Sequence, residues 1–459
     1  MRLDGRTVVV GLTGGIACYK ACEVVRLLVG AGARVPVIMS AGAQQFVAPL
    51  TLQTLSGQPV ATDTFSLTQE SEIGHIRLAD QADAIVIAPA TANVLGKLAN
   101  GIADDLLTTV LLAARAPLVI APAMNVHMWE HVAVQENLAR LIARGARVVG
   151  PASGALACGY EGAGRLAEPA DIVEEVGCAL TAQDLRGVRV LVSAGPTREP
   201  VDPVRYLSNR SSGKMGYALA RVARRRGAEV TLVSGPSALA PPPGVHLVRV
   251  TTARDMATAV EEAFSAAAAV IMSAAVADYR PREAAARKLK KDAAGLTLEL
   301  ERTPDILAGL GARKGRRLLI GFAAETHDVA AEARRKLRAK RLDLIVANDV
   351  GAPGAGFDTD TNAVRLLDDG GLDEVLPVLD KEEVAARVLD WVAAHRTQRA
   401  RTIVTTLAGA GRPAPRGAKL ADGVRGARRR PHAPEELVKP PVPGRAARRR
   451  LPRSSGPGA

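Results

Sequence analysis

Short apolar runs alternate with stretches of helical periodicity along this chain, and the plan is used twice. In the first pass, residues 7–10 form an apolar run that breaks into the glycine turn 11–15, and residues 17–29 follow with helical spacing. Further apolar runs at 34–39, 84–88, 118–121 and 147–149 are separated by helix-length segments. Runs that are apolar throughout predict strands buried on both faces, hence a parallel sheet covered by helices on either side. At Gly187 the plan restarts. Residues 188–192 break into Ser193, Ala194, Gly195 and Pro196, and Ser211, Ser212 and Gly213 open a helix near Lys214. Strands are predicted next at 229–233, 246–250, 270–273, 318–322 and 344–347, then a hairpin at 363–375 and a helix at 381–395. The expected fold class is α/β, with two doubly wound, Rossmann-like parallel-sheet domains at 1–181 and 187–395 joined by a linker at about 181–186.

Open sheets of this kind bind ligands beyond the carboxyl ends of their strands, so the chemistry belongs in the segments that follow them. Two such segments run from Pro89 to Asn93 and from Pro122 to Trp129. The first turn, GLTGGIA at 11–17, lacks the GxGxxG spacing, and Ser40 ends the second strand where a dinucleotide fold presents an acid to the ribose. No acid follows the second strand of the second unit either. These absences count against the alternative reading, a tandem nucleotide-fold flavin or nicotinamide oxidoreductase. Ser40, Thr13 and the glycine turn instead suit the single phosphate of a mononucleotide such as FMN. In the second unit the helix start beside Ser211, Ser212 and Lys214 suits a phosphate.

Charge changes the picture only when it is located. The 459 residues carry a net charge of +13, but residues 396–459 hold sixteen of the 60 basic side chains and three of the 47 acidic ones. The remainder is therefore neutral, which disfavours a nucleic-acid binder, as does an aromatic content of 3%. The 396–459 tail is rich in Pro, Gly and Arg without an apolar period, and it is expected to be disordered. Cys18, Cys22, Cys158 and Cys178 form neither a CxxC pair nor a zinc spacing, which fits a reducing compartment, and Cys18 and Cys22, one helical turn apart, are expected to be packing residues. No signal peptide and no apolar run of membrane-spanning length is seen, so the expectation is a cytoplasmic protein without a membrane partner.

Four features then fall in order: His75, PAMNVHMW at 122–129, ACGYEGAGR at 157–165 and SNRSSGKMG at 208–216. On these, residues 6–395 resemble the bacterial bifunctional family that combines phosphopantothenoylcysteine decarboxylase with phosphopantothenate–cysteine ligase in coenzyme A synthesis. Tyr160 and Glu161 depart from the usual Asp and Val, and Val132 from the usual Pro; the tail has no counterpart.

The resemblance implies a flavodoxin-like flavoprotein half that binds FMN through Thr13, Gly14, Gly15, Ile16, Ala17, Ser40, Pro89, Thr91, Ala92, Asn93 and Met124. It makes His75 the base, Asn125 an uncharged amide donor to the substrate carboxylate, and Cys158 the donor of the last proton. Gly154, Gly159, Gly162 and Gly164 would let a lid fold over the ligand. For the ligase half it implies 4'-phosphopantothenate, cysteine, CTP and Mg2+, with an acyl-cytidylate intermediate. Asn209 would stabilise that intermediate, and Lys288, in the run Lys288 to Lys291, would neutralise phosphates as it forms. Met272, Ser273, Ala274, Asp278, Pro304, Asp305, Ile306, Leu307, Phe322, Lys336 and Lys340 match the remaining nucleotide positions. No ligand to the metal is indicated. The implied assembly is a dodecamer, with trimers of the flavin half joined by dimers of the ligase half.

Overall fold

The computed structural model describes residues 1–64, 74–156, 159–290, 296–325, 327–349, 356 and 359–410, with side chains to 396 apart from that of Asp349. Cys158, Lys291 and everything after 410 lie outside the described residues. Met1–Ile403 is one unit by its contacts, and Val404–Ala459 is a second.

The first half of the unit runs β1 (Val8–Leu12), α1 (Cys18–Gly30), β2 (Val37–Met39), α2 (Pro49–Ser56), β3 (Val60–Ala61), α3 (Gly74–Gln81) and β4 (Ala84–Ala90). It continues through α4 (Ala92–Asn100), α5 (Leu106–Ala113), β5 (Leu118–Pro122), α6 (Val126–Glu130), α7 (Val132–Ala143) and β6 (Arg147–Val148). These strands form one parallel sheet in the order β3-β2-β1-β4-β5-β6. Without the two-residue edge strand β3, this is the flavodoxin order, whose switch point lies between β1 and β4. Every residue of β1 is buried because both faces are covered. Val8, Val10 and Leu12 pack with Leu28 of α1 and Leu52 of α2, while Val9 packs with Leu95 of α4 and Leu107 of α5. Cys18 is buried in the first of these clusters and Cys22 packs against it. The strand expected at 34–39 is shorter than its apolar run, because Pro36 has no N–H to give the ladder.

A hairpin of β7 (Ala152–Ala155) and β8 (Glu161–Arg165) follows, then α8 (Pro169–Leu180). The second half begins with β9 (Arg189–Ala194), the small antiparallel pair β10 (Arg198–Pro200) and β11 (Tyr206–Ser208), α9 (Lys214–Arg225), β12 (Glu229–Ser234), β13 (His246–Arg249) and α10 (Ala253–Phe264). After β14 (Ala269–Met272) come a second small pair, β15 (Tyr279–Pro281) and β16 (Leu300–Arg302), then α11 (Ile306–Arg313), β17 (Leu318–Glu325), α12 (Val329–Ala339) and β18 (Leu344–Asp349). The half closes with β19 (Thr361–Asn362), β20 (Val364–Asp368), β21 (Asp373–Val375), β22 (Leu379–Asp380) and α13 (Lys381–Ala410).

The large sheet has the order β13-β12-β9-β14-β17-β18-β20-β21. Its first six strands are parallel in the Rossmann order, while β20 and β21 are antiparallel additions, so the sheet is mixed rather than wholly parallel. The tight Asp369-Gly370-Gly371 turn makes β21 antiparallel to β20, since it leaves no room for the crossover a parallel neighbour needs. Helices α9 and α13 cover one face; α10, α11 and α12 cover the other. Helix α13 continues past the expected end at 395, and residues 396–408 contain neither Gly nor Pro to stop it.

The halves meet along α8, α9 and the start of α13. Arg225 of α9 makes two 2.6 Å bonds to Glu174 of α8 and one of 2.7 Å to Glu382 of α13, with its side chain only 8% exposed. Beside it, Arg224 reaches Glu175 at 2.7 Å, and Arg147 reaches the same carboxylate at 2.5 Å. Burial acts to raise the Glu382 carboxyl, but the Arg225 bonds and charge, with the Met1 amine 3.1 Å away, outweigh it and hold the group down at about 2.

Candidate functional sites

The first candidate site lies beyond the carboxyl ends of β1, β2, β4 and β5. Thr13, just after β1, is buried; its hydroxyl donates to the Pro89 carbonyl at 2.6 Å and accepts from the Thr91 amide at 3.0 Å. That proton is committed, so Thr13 stitches β1 to β4 and positions backbone instead of offering its hydroxyl as a donor. Ser40 differs: its oxygen accepts from the Ala43 amide at 3.2 Å, which leaves the O–H able to donate to an anion. Gly14 and Gly42 approach so closely that a Cβ on Gly14 would meet the Gly42 backbone at 3.0 Å, and the glycine there keeps a cradle open. Ala17 and Thr91 stand at the starts of α1 and α4, and neither start has a side-chain cap. Two uncapped helix N-termini at a switch point suit a phosphate-bearing ligand. Gly15, Ile16, Ala92 and Asn93 belong to these two turns, with Ile16 exposed.

Met124 and Asn125 enter from the end of β5. The Ala123 amide bonds to the Ala90 carbonyl at 3.1 Å, and the Met124 amide bonds to Gly164 of β8 at 3.0 Å. A Cβ on Gly164 would lie 2.3 Å from the Met124 carbonyl, so only glycine lets the hairpin dock here. The segment expected as a glycine-rich lid is thus a β-hairpin seated on the β5–α6 turn, with Tyr160 edge-on to His127 at 5.0 Å. Asn125 caps α6, its Oδ1 accepting from the His127 amide at 2.8 Å. His75 is half-buried in the first turn of α3, a helix packed against α5. Cys158 lies outside the described residues.

The second candidate site is a cavity of about 730 Å³ at the carboxyl ends of β14, β17 and β18. It collects Asn209, Met272, Ser273, Ala274 and Asp278 on one side and Pro304, Asp305, Ile306 and Leu307 at the start of α11. Phe322, Lys336 and Lys340 complete the set that sequence placed together. Lys288 is not among the lining residues. It is exposed, on a segment tied to the β10–β11 arm by the Leu289 amide bonding to Asp202 at 3.2 Å and the Leu289 carbonyl accepting from Arg205 at 3.3 Å.

The lysines of this cavity rest on carboxylates. Lys336 bonds to Glu325 at 2.5 Å; Lys340 lies 2.9 Å from Asp305, which also caps α11 by accepting from the Ala308 amide. Burial works to raise the Asp305 carboxyl, but the Lys340 and Ala308 bonds prevail and lower it. Lys214 pairs with Asp360 at 2.7 Å. Asn209 donates to the Ala275 carbonyl at 3.1 Å; Ser273 donates to the Ser193 carbonyl at 2.6 Å. Helix α9 starts at Gly213 without a side-chain cap, whereas α10 closes its start with a capping box. Among the lining residues that escaped the sequence reading are Asn348, Asn362 and Lys381. Asn348 ends an apolar strand and could have been found by that position; Asn362 and Lys381 sit among polar residues that give no such signal.

Among the described residues no three His, Cys, Asp or Glu side chains cluster to hold a metal ion, and no helix is long and apolar enough to cross a membrane.

Two nucleotide-type clefts on successive Rossmann-like sheets match two family descriptions. Residues 2–180 match the Flavoprotein family, and residues 185–395 match the DNA/pantothenate metabolism flavoprotein C-terminal domain. The chain is 52% identical over 400 residues to the coenzyme A biosynthesis bifunctional protein CoaBC of Bacillus subtilis, covering 86% of this chain and 98% of that protein. It is 45% identical over 406 residues to the Escherichia coli protein of the same name, covering 87% of this chain and all of that one. A crystal structure of a CoaBC C-terminal domain, 46% identical, covers 47% of this chain and all of that domain, with a TM-score of 0.41. The chain belongs to the family of coenzyme A biosynthesis bifunctional proteins, which join a decarboxylase to a ligase.

Proposed function

We propose that the second cavity ligates 4'-phosphopantothenate to cysteine at the expense of CTP, and that the first cleft decarboxylates the product to 4'-phosphopantetheine with FMN. The observation that carries this division is the contrast in cations. Four lysines line the second cavity, as a triphosphate requires, while none of the eleven residues assigned to FMN in the first is cationic.

In the ligase half, Lys336 and Lys340 exchange Glu325 and Asp305 for phosphate oxygens, and the uncapped start of α9 offers backbone amides to the same anion. Asn209 holds the acyl-cytidylate while the cysteine amine attacks its carbonyl; the charge-neutralising role of Lys288, which is exposed and outside the cavity lining, rests on the resemblance alone. Mg2+ accompanies the triphosphate and offsets its charge.

In the flavin half, Ser40 and the helix starts of α1 and α4 fit the single phosphate of FMN. When bound, the flavin would supply a two-electron oxidation of the substrate thiol that lets the carboxylate depart as CO₂, and would then return the two electrons to the decarboxylated product. Asn125, its Oδ1 fixed by the α6 cap, presents its amide N–H to that carboxylate. His75 takes the proton released on thiol oxidation, and Cys158 returns the proton that completes the aminothiol product.

Exposed apolar side chains support assembly into a homo-oligomer. Ile16, Tyr19, Phe46 and Leu50 stand out on the flavin half, and Val204, Tyr206, Tyr279 and Leu300 on the two arms of the ligase half. They suit trimers and dimers respectively, combined as a dodecamer in the cytoplasm.

The test is direct. The purified full chain should show a flavin absorption spectrum. Given CTP, Mg2+, phosphopantothenate and cysteine, it should release pyrophosphate first and CO₂ second. A colourless protein, or CO₂ released without cysteine, would overturn the reading.

A further inference from the structure

Two asparagines that line the ligase cavity have buried carbonyl oxygens with nothing to accept. Asn348 and Asn362 are 9% and 3% exposed, both line the cavity, and the Oδ1 of each has no hydrogen-bond partner. Buried acceptors are normally satisfied, so a pair left open in a ligand cavity points to a donor that arrives with the ligand.

Strand register sets the two side by side. Asn348 of β18 lies opposite Val364 of β20, and Asn362 stands two residues before Val364, so both fall on the same face as diagonal neighbours. That face is the one α9 and α13 cover, since Val346 and Val364 pack there with Val384 and Val388. The amide nitrogen of Asn362 meets the sulfur of Met215, another lining residue, at 3.7 Å, which leaves its oxygen as the unsatisfied end. The nearby cations are engaged elsewhere: Lys214 pairs with Asp360, and Lys381 holds the Gly356 carbonyl at 3.1 Å and the Thr359 carbonyl.

The uncapped start of α9 draws a phosphate chain to this side of the cavity. Phosphate oxygens and amide carbonyl oxygens are both acceptors, so they repel unless a cation or its waters stand between them. Neutral oxygens are hard ligands, and Mg2+ keeps several waters that donate outward. We propose that Asn348 and Asn362 form the wall of the ligase cavity that receives the divalent cation carried in with the nucleotide, through their Oδ1 atoms. This rests on the reading of the cavity as a site for a metal-bound triphosphate.

The experiment measures CTP binding to the full chain by calorimetry, once with Mg2+ and once with a chelator, for wild type, Asn348→Ala, Asn362→Ala and the isosteric Asn362→Asp. Each alanine variant should weaken Mg2+–CTP binding about tenfold and leave metal-free CTP binding unchanged. Asn362→Asp should restore or exceed wild-type affinity for the metal complex, and Mn2+ bound with CTP should report the same ranking in its paramagnetic resonance spectrum. Retention of the flavin spectrum and of the thermal midpoint certifies folding. An equal loss with and without metal, or no rescue by Asp, would overturn the assignment and place a ribose hydroxyl or a purely structural role at these oxygens. A wild-type protein that binds CTP equally with and without Mg2+ would instead overturn the metal–nucleotide reading, and the inference with it.

Discussion

The two clefts of this chain sit at equivalent places on similar sheets, yet they are furnished in opposite ways. The flavin cleft is made of backbone, hydroxyls and close glycine contacts, with Thr13 spent on holding β1 to β4. The ligase cavity is made of side chains, and three of its lysines are already paired with carboxylates. A cofactor that stays needs shape and a fixed set of donors. A triphosphate that comes and goes needs charge, and that charge needs a resting partner to keep the empty site from being a cluster of like cations. One Rossmann plan thus serves a resident and a visitor, and the difference lies in the residues that follow the strands.

The comparison can be broken at either cleft. The largest effect is expected from His75→Asn, which should lower CO₂ release by about a thousandfold and leave pyrophosphate release unchanged. Loss of both activities would mean the clefts do not work independently. Next, Lys340→Ala removes one charge from the triphosphate and should cost about 3 kcal/mol, or about a hundredfold in kcat/KM for CTP. Its companion Asp305→Asn keeps a competent α11 cap but frees Lys340, so CTP should bind somewhat more tightly. Weaker CTP binding in that variant would show that Asp305 contacts the nucleotide rather than parking the lysine.

Gly164→Ala tests the other cleft through backbone alone. The added methyl would press on the Met124 carbonyl, shift the hairpin from Asn125, and lower decarboxylation by about a hundredfold at most, with ligation as an internal control. Decarboxylation at the wild-type rate would show that the hairpin seat does not matter to the chemistry.

Glu382→Gln is expected to have the smallest effect, about 2 kcal/mol of stability near neutral pH. The sign of its pH dependence follows from a folded-state carboxyl held at about 2 against an ordinary 4.5. Glu382 contributes fully above about pH 4.5, and its contribution drains away as pH falls toward 2. Denaturant unfolding of wild type and variant at pH 7, 4.5 and 3 should show the gap between them closing on acidification. A gap that stays constant would show that the carboxylate charge is not what Arg225 uses.

Much of this was legible before any coordinates. Apolar runs place β1, β4, β5, β9, β12, β14 and β17 because strands buried on both faces carry no polar alternation to blur them. The residues from Met272 to Lys340 that share the second cavity could be collected by motif because they sit at strand ends or on a helix beside one. The β10–β11 and β15–β16 arms were not legible, since each strand is three residues long and both pairs carry prolines. Asn362 and Lys381 depend on how β20 folds back beside β18, a long-range pairing that no local pattern encodes. Thr13 was legible as a residue of the first turn but not as the stitch to β4, because whether a hydroxyl faces a ligand or a carbonyl is decided only by what β4 places next to it.

The Arg225 knot bears on how such a chain can be divided. Glu174 and Glu175 belong to the last helix of the flavoprotein half, and Arg224 and Arg225 to the first large helix of the ligase half. Cutting between residues 180 and 185 would strand Glu174 and leave Glu175 with Arg147 alone on one fragment, and on the other would part Arg224 from its carboxylate and leave Arg225, 8% exposed in the intact protein, with Glu382 alone. Such a seam makes fusion easier to acquire than to reverse: once acids and arginines have been recruited across it, a gene split must re-evolve a solvated surface on both products. Separately produced halves are therefore better designed with these four positions neutralised than with the native residues simply truncated.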